Sequence, residues 1–472
     1  MAPPSTRQLR KKRFQAPQKA WKNLRALLKS FEEEKYMKYN SVLGFGGFGL
    51  VLDWDILKPD GSRDRSIAMK TVVDKDHKST VDSLKREIWW TKRFTGSEHL
   101  MQLVDLDERV TKAANINDEN TIGIPNISME KMGRGSLKLL MHRMKCSKAW
   151  NPTAPESSTR LMEYIPNRTL WHIFLCLTRA VIGMAYPAND PLSRKGHSIR
   201  ETTQGLMAYY DAENLVHSDI DVGNVFIADP KDCPPDGEHR WAPVIKIADY
   251  GCMVDWVDDW SAEQKLKSLW GKDAYKAPEQ FSPRCFDFNA LSALTNVYQI
   301  GQMQRTVRGA EFRTYGWRVL PDPDYGIDDD WLNVDVELRE LIVGCMADQA
   351  SDRPGPRALE HMITTRIAAL AKQAAEAAKP NLNPEASEFV PGQAPKMGLN
   401  PESKEFVPAQ KPQRPPNIGN FYKNRVPSGQ VEPDWLLDKF YNDYFVDIWN
   451  EHDMYKDHWS KKTLTPYVTP TT

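Results

Sequence analysis

The sequence predicts an α+β fold, with strands crowding the early part of the chain and helices the middle. Three observations carry this. Residues 36–54 read as strand, glycine turn, strand. Further strand-like runs lie at Ile67–Lys70, 100–104 and 122–129, the last two around a polar turn at Asn115–Asn120. One helical pattern interrupts them: across Ser79–Phe94, Leu84, Ile88 and Thr91 share a face that Glu87 adjoins. Ser79 can cap that helix and Asp82 sits in its first turn. Beyond residue 130 the pattern turns helical. Leu170–Met184 is largely apolar all round, as a buried helix is, and residues 199–213 are a second helical candidate.

Composition bounds the rest. At 472 residues the chain can hold one large two-lobed domain plus tails. Basic and acidic residues balance at 63 each, so no global field draws it to nucleic acid, and direct DNA binding is not expected. A hydrophobic content of 40% with 15 Trp argues for a packed core. The six Cys show no C-x-x-C spacing and read as reduced thiols of an intracellular protein. There is no run of 18 apolar residues and no apolar signal core. No membrane association is expected, and the cytoplasm is the expected compartment, with the nucleus also open.

Residues 1–30 hold nine Lys/Arg and no acid. Arg10–Arg13 suits a nuclear-import patch or an RNA-contacting arm; a solvated basic tail is the plain reading. Trp21, Leu24, Leu28 and Phe31 then recur at helical spacing. The glycine turn reads Gly44-Phe45-Gly46-Gly47-Phe48-Gly49-Leu50-Val51. Glycines suit backbone N–H groups that must approach phosphates without an obstructing Cβ. A dinucleotide site would place a helix after them, whereas Leu50–Trp54 reads as a strand.

The chemistry gathers at His217–Asn224, H-S-D-I-D-V-G-N, followed twenty-five residues later by Asp249-Tyr250-Gly251 at the end of the β-rich run Val244–Ala248. One carboxylate to orient a hydroxyl, with an amide and a second carboxylate to hold Mg²⁺ on ATP phosphates, is the set that phosphoryl transfer needs. In chain order come the glycine turn, Ile67-Ala68-Met69-Lys70, Glu87, Asp219, Asn224, Asp249, Ala277-Pro278-Glu279 and Asp352-Arg353-Pro354. That series resembles a eukaryotic protein kinase domain of serine/threonine type over residues 36–370.

The resemblance implies a two-lobed kinase fold, with a small antiparallel β lobe carrying one helix (36–130) and a large mainly helical lobe (131–370). A basic extension with a helix (1–35) precedes it. A disordered linker (371–415) and an aromatic-rich tail (416–472) follow. It implies Asp219 as catalytic base, Lys70 paired with Glu87 on the α/β-phosphates, and Asn224 and Asp249 on Mg²⁺. Gly44, Phe45, Gly46, Gly47, Phe48 and Gly49 would cover ATP, with Val51 and Ala68 over the adenine. Met129 would be the gatekeeper, and the backbone of Glu130 and Met132 would bond the adenine edge. The substrate would be a protein hydroxyl. Which of the two helical candidates is the family's central helix stays open.

Four positions depart from the family. Ser218 replaces an arginine that senses activation-loop phosphate, and Asn296 an aspartate that braces the catalytic loop. Asp221 stands where these kinases carry a lysine facing the γ-phosphate, and Lys272 where they carry a threonine. The exchange suggests that Lys272 supplies the missing charge and pairs with Asp221; the alternative is an ATP-binding pseudokinase serving as a messenger-ribonucleoprotein adaptor. Ser261 and Ser268 lie in the activation segment without either standing out as regulatory.

Leu382–Pro391 recurs seventeen residues on as Leu399–Pro408. Each copy has two apolar anchors, Leu382 with Phe389 and Leu399 with Phe406, around an Asn-Pro turn. Such segments fold onto partners with two pockets. Both copies resemble L-N-x-x-A-x-E-F-x-P, the motif that binds the MLLE domain of poly(A)-binding protein. The second has Ser403 at the small Ala position. Finally, Trp435–Trp449 suggests a helix at about 433–451, too apolar for water and expected to dock on the kinase domain, with a partner interface as the alternative.

Overall fold

In a computed structural model of the chain, the structure describes residues 36–446 apart from 46–48, 73–76, 105, 107–125, 151–160, 188–197, 207–212, 235–236, 258–259, 262, 265–268, 282–290, 308–312, 316–317, 321–332, 379–425 and 427–428. The basic extension, Gly46–Phe48, Asn115–Asn120, Ser268 and both repeat copies lie outside the described residues.

Strands β1 (Met37–Phe45), β2 (Gly49–Leu57), β3 (Arg63–Val72) and β4 (Asn126–Glu130) form one antiparallel sheet in chain order. Its pattern is the period of two: Leu50, Leu52, Trp54 and Ile56 of β2 all point into the core. Helix α1 (Lys78–Arg93) packs on the sheet with Thr80, Leu84, Glu87, Trp90 and Thr91 buried. Glu87 therefore lies on the buried face itself. The cap expected at Ser79 is not there. The N-cap is His77, and Ser79 inside the first turn shares hydroxyl–imidazole bonds with it, as Thr80 does. Residues 100–104 make no strand. They make single bridges instead, Leu100 to Ile247 and Leu103 to Met129, because the segment passes between the two lobes. Of the expected strand 122–129, residues 126–129 lie in β4 and 122–125 lie outside the described residues.

The large lobe is built from α2 (Leu137–Trp150), α3 (Asn167–Ala185), the single turn α4 (Thr203–Leu206), the short strands β5 (Leu215–Val216), β6 (Val225–Ile227), β7 (Ile245–Ile247) and β8 (Val254–Asp255), then α5 (Ala293–Val307), the hairpin β9 (Arg313–Tyr315) and β10 (Arg318–Leu320), α6 (Val336–Cys345) and α7 (Pro356–Ala377). α3 takes the centre: all nineteen of its residues are buried, with α5 and α7 packed against it. The candidate at 199–213 shows only α4, with 207–212 outside the described residues. α7 carries past the boundary set at 370, because its Ala-rich end has strong helix propensity.

The aromatic segment docks as expected, through α8 (Asp434–Tyr441) and a π-helical turn at Asn442–Val446, beyond which the chain is not described. Leu436, Leu437, Phe440 and Phe445 are fully buried. Polar contacts fix the register. Tyr444 donates its hydroxyl to Ser147 Oγ at 2.8 Å, and Asp443 accepts from Met162 N at 3.1 Å. α3 begins after Pro166 with no side-chain cap of its own. The Glu432 carboxylate, buried, accepts from Asn167 N at 2.7 Å and Arg168 N at 2.9 Å. Arg168 in turn donates to Asp434 at 2.7 Å.

A buried helix terminus cannot leave its first N–H groups bare. Glu432→Ala removes both acceptors at once, and we expect it to cost about 3 kcal/mol in urea unfolding, with Glu432→Gln costing about half of that. An unchanged midpoint in the alanine variant would show that the carboxylate does not hold the helix.

Candidate active site

The site lies between the sheet and the short strands of the large lobe. Lys70 sits near the end of β3, opposite Val51 on one side and Ile127 on the other. Its ammonium donates to Glu87 Oε2 at 2.7 Å and Asp249 Oδ1 at 2.9 Å. Burial works against the charge, but two carboxylates outweigh it, so the Lys70 pKa is raised. Asp249 is the reverse case: burial raises its carboxyl, Lys70 opposes, and the net direction is down. The pair Lys70–Glu87 is nearly closed to solvent, whereas the Asp249 side chain is 43% exposed and faces the cleft.

Glycines frame the opening. A Cβ on Gly44 would meet no atom of the described residues within 4 Å, while one on Gly49 would come within 3.1 Å of Lys70 Cε. Gly49 thus lies tightly over Lys70, where a side chain would crowd it. Ala68 is buried opposite Met129, and Val51 is half-buried. At the hinge, Glu130 N donates to Gln102 O at 3.1 Å, and Met132 O accepts from Gly135 N at 3.2 Å. The Glu130 N–H, expected among the adenine contacts, is thus taken within the chain. The Glu130 carboxylate is occupied by Lys246 at 2.8 Å and by Gln102 N at 2.9 Å.

The loop between β5 and β6 carries His217–Asn224, and β7 delivers Asp249 beside it. Both Ser218 and Asp249 adopt φ of +68°, a conformation that non-glycine residues hold only when surroundings enforce it. The enforcement at Ser218 is visible: its carbonyl accepts from Gln299 Nε2 at 3.0 Å and Gln280 Nε2 at 3.4 Å. Asn296 accepts from His217 N at 3.0 Å and donates to Leu215 O at 2.8 Å, the second a bond that a carboxylate could not make. Asn224 Nδ2 donates to Asp219 O at 2.8 Å and Asp219 Oδ2 at 3.1 Å, which turns its amide oxygen the other way.

Asp221 and Lys272 meet. The Lys272 ammonium donates to Asp221 Oδ2, stands 3.6 Å from Asp219 Oδ2, and its backbone N–H bonds Asp219 Oδ1 at 3.2 Å. Gly271 makes this approach possible. Its φ is +111°, and a Cβ there would lie 2.1 Å from Ser218 O. Asp221 has a second partner in Gly223 N at 2.7 Å, so its carboxylate also closes the loop's turn. Burial raises the Asp219 carboxyl, with Asp221 and Asp249 adding to it and Lys272 and His217 opposing. Burial lowers His217, whose ring bonds Ala248 O at 3.1 Å.

Below the cleft, Glu279 and Arg353 form a fully buried double bond pair at 2.7 and 2.8 Å, with Thr295 donating to Glu279 at 2.8 Å. Ser261 is exposed and bonds Gln264. The sequence alone assigned no role to Gly271, Gln280 or Gln299. The one available signal was a glycine directly before Lys272. The two glutamines sit on α5 and beside Glu279, and only their folded positions reveal them as braces.

A family model for protein tyrosine and serine/threonine kinases matches residues 37–298, more than half of the chain. No curated protein matches it. Removing one partner of a buried ion pair strands the other charge. Glu279→Gln is therefore expected to lower stability by about 3–5 kcal/mol, read by denaturant unfolding; a loss below a tenth of that would make the pair incidental.

Proposed function

The chain belongs to the protein tyrosine and serine/threonine kinase family, and on that premise we propose that it is an ATP- and Mg²⁺-dependent enzyme that phosphorylates serine or threonine hydroxyls of proteins. The observation that carries the reading is the convergence of Lys70, Glu87 and Asp249 with Asp219, Asn224 and Lys272 in one cleft. The donor set fits the cation: an amide oxygen on Asn224 that makes no bond among the described residues and an exposed carboxylate on Asp249 are hard oxygen ligands. Mg²⁺ held there would neutralise charge on the transferring phosphoryl group.

Lys70 holds the α/β-phosphates, its position set by Glu87. Asp219 accepts the proton of the substrate hydroxyl as that oxygen bonds the γ-phosphorus and the bond to the bridging oxygen breaks. Its burial keeps the carboxyl more basic than a surface aspartate, which favours proton transfer at neutral pH. Lys272 lies against Asp219 and supplies positive charge where other serine/threonine-type members carry a lysine in the catalytic loop. Asp221, satisfied by Lys272 and Gly223 N, is then no bare charge turned on the triphosphate.

Labelled ATP with a generic protein substrate tests this. Asp219→Ala is expected to lower transfer about 10²–10⁴-fold and Lys272→Ala about 10²-fold, with Asp249→Ala as the companion that loses metal. Asp221 itself favours the second reading, a pseudokinase adaptor, since a carboxylate occupies the place of a phosphate-facing lysine. Transfer by wild type no greater than by Asp219→Ala, from folded protein that binds Mg-ATP, would establish that reading instead.

We further propose that the two copies at 382–391 and 399–408 recruit the enzyme to poly(A)-binding protein, hence to cytoplasmic messenger ribonucleoprotein. What supports this is the match of the anchors Leu382/Phe389 and Leu399/Phe406 to the MLLE-binding pattern, twice over. Two linked copies gain avidity when the partner offers several MLLE domains. Pulldown by poly(A)-binding protein should fail for Phe389→Ala/Phe406→Ala and fall less for Phe406→Ala alone; retention by the double variant would remove the assignment.

A further inference from the structure

A second cluster of reactive side chains lies away from the cleft, and phosphoryl transfer does not use it. His99 follows α1, Cys176 is in the middle of α3, and His239 precedes β7. All three are buried, and one ligating atom from each lies within 4.8 Å of the other two. Cys176 Sγ is 3.9 Å from His239 Nδ1, and the two imidazole rings are 5.4 Å apart, centre to centre.

Carboxylates stand behind both imidazoles. Glu201, fully buried, accepts from His99 N at 2.9 Å and pairs with its Nδ1 at 2.7 Å. Glu98 lies 3.7 Å from His239 Nε2 and is itself held by Arg200 at 3.0 Å. With Nδ1 taken by Glu201, the other nitrogen of His99, Nε2, is sealed from solvent and makes no hydrogen bond among the described residues. A group so deeply buried and so firmly oriented is rarely left without a partner.

We propose that His99, Cys176 and His239 hold a zinc ion, with Glu201 and Glu98 orienting the two imidazoles from behind. A carboxylate on the far nitrogen of a ligating histidine is the usual way in which such a ring is aimed and its basicity raised. Two imidazoles and a thiolate are donors suited to zinc rather than to magnesium or calcium. Zinc bonds of about 2.0–2.3 Å at tetrahedral angles demand ligand atoms roughly 3.3–3.7 Å apart, so closing on the ion needs side-chain shifts of about an ångström or less. A water oxygen completes the fourth position. Because Ile247 N donates to His99 O at 3.0 Å, the ion would tie the segment after α1 to α3 and to the strand that precedes Asp249.

The full chain, produced without a histidine tag in zinc-supplemented medium, is assayed for bound metal by mass spectrometry. It is then exchanged with Co²⁺ and examined by absorption. We expect about one zinc per chain and, for the cobalt form, a thiolate-to-metal charge-transfer band with the strong visible bands of a tetrahedral site. Cys176→Ser should abolish the charge-transfer band, and His99→Gln should lower zinc affinity at least about tenfold, each with circular dichroism checked against wild type. Fewer than about 0.1 zinc per natively folded wild-type chain, or a cobalt form with no sulfur band, overturns the proposal. Since the wild-type measurements decide it, a variant that does not fold leaves the outcome intact, and neither result depends on whether the cleft transfers phosphate.

Discussion

The first turn of α3 is the constraint on which the large lobe depends. A helix enclosed on every side can satisfy its interior through its own ladder, but its leading N–H groups need acceptors from elsewhere. Pro166 offers no side-chain acceptor, and water cannot reach Asn167 or Arg168. A carboxylate that arrives from residue 432 answers that need, bonding two N–H groups at the positive end of the helix. The aromatic segment that follows is packed into the core because its acidic lead residue must be delivered there. Its burial and its cap are one event, and the lobe is incomplete without both.

The cleft works by alternation of charge. Lys70 stands between Glu87 and Asp249, and Lys272 between Asp221 and Asp219. The two lysines differ in kind. Lys70 is enclosed, so its attraction to two carboxylates acts through protein. Lys272 is half exposed and its attraction is screened by solvent. At an effective dielectric near 20, unit charges 4 Å apart interact by about 4 kcal/mol, a figure that solvent screening reduces at Lys272. The enclosed Lys70–Glu87 pair therefore holds geometry, whereas Asp249 and Lys272 present their charges to solvent. Asp221 has a turn bond to Gly223 N that does not depend on Lys272.

Much of this was legible in residue order because the signals are local or periodic. Alternation in β2 and the three-to-four spacing in α1 report which face is buried, and an acid on that face, Glu87, invites a buried cation. The apolar circumference of α3 announced a buried helix. The charge exchange between Asp221 and Lys272 was visible as two departures that cancel. What stayed hidden depends on distant chain segments. Ser79 was a better cap candidate than His77 on residue type alone, and only the entry angle of the chain decides between them. Gln280 and Gln299 hold one carbonyl, that of Ser218, from positions 62 and 81 residues away, and no pattern at that range can be seen. Glu432 is one glutamate among many until its 265-residue separation from Asn167 closes.

That separation has a consequence for how the protein is made. The four strands of the sheet all lie within the first 130 residues and can pair soon after they leave the ribosome. α3 cannot finish then. The acceptor for its first turn is translated 265 residues after the donor, which at 5–20 residues per second is a delay of roughly 13–53 s. Throughout that interval a long apolar helix stands with one end unsatisfied and with its covering aromatic segment not yet synthesised. A nascent chain in this state is a natural client for chaperones. A message cut short before codon 432 would lack the acceptor for the first turn of α3, with every residue of the cleft intact.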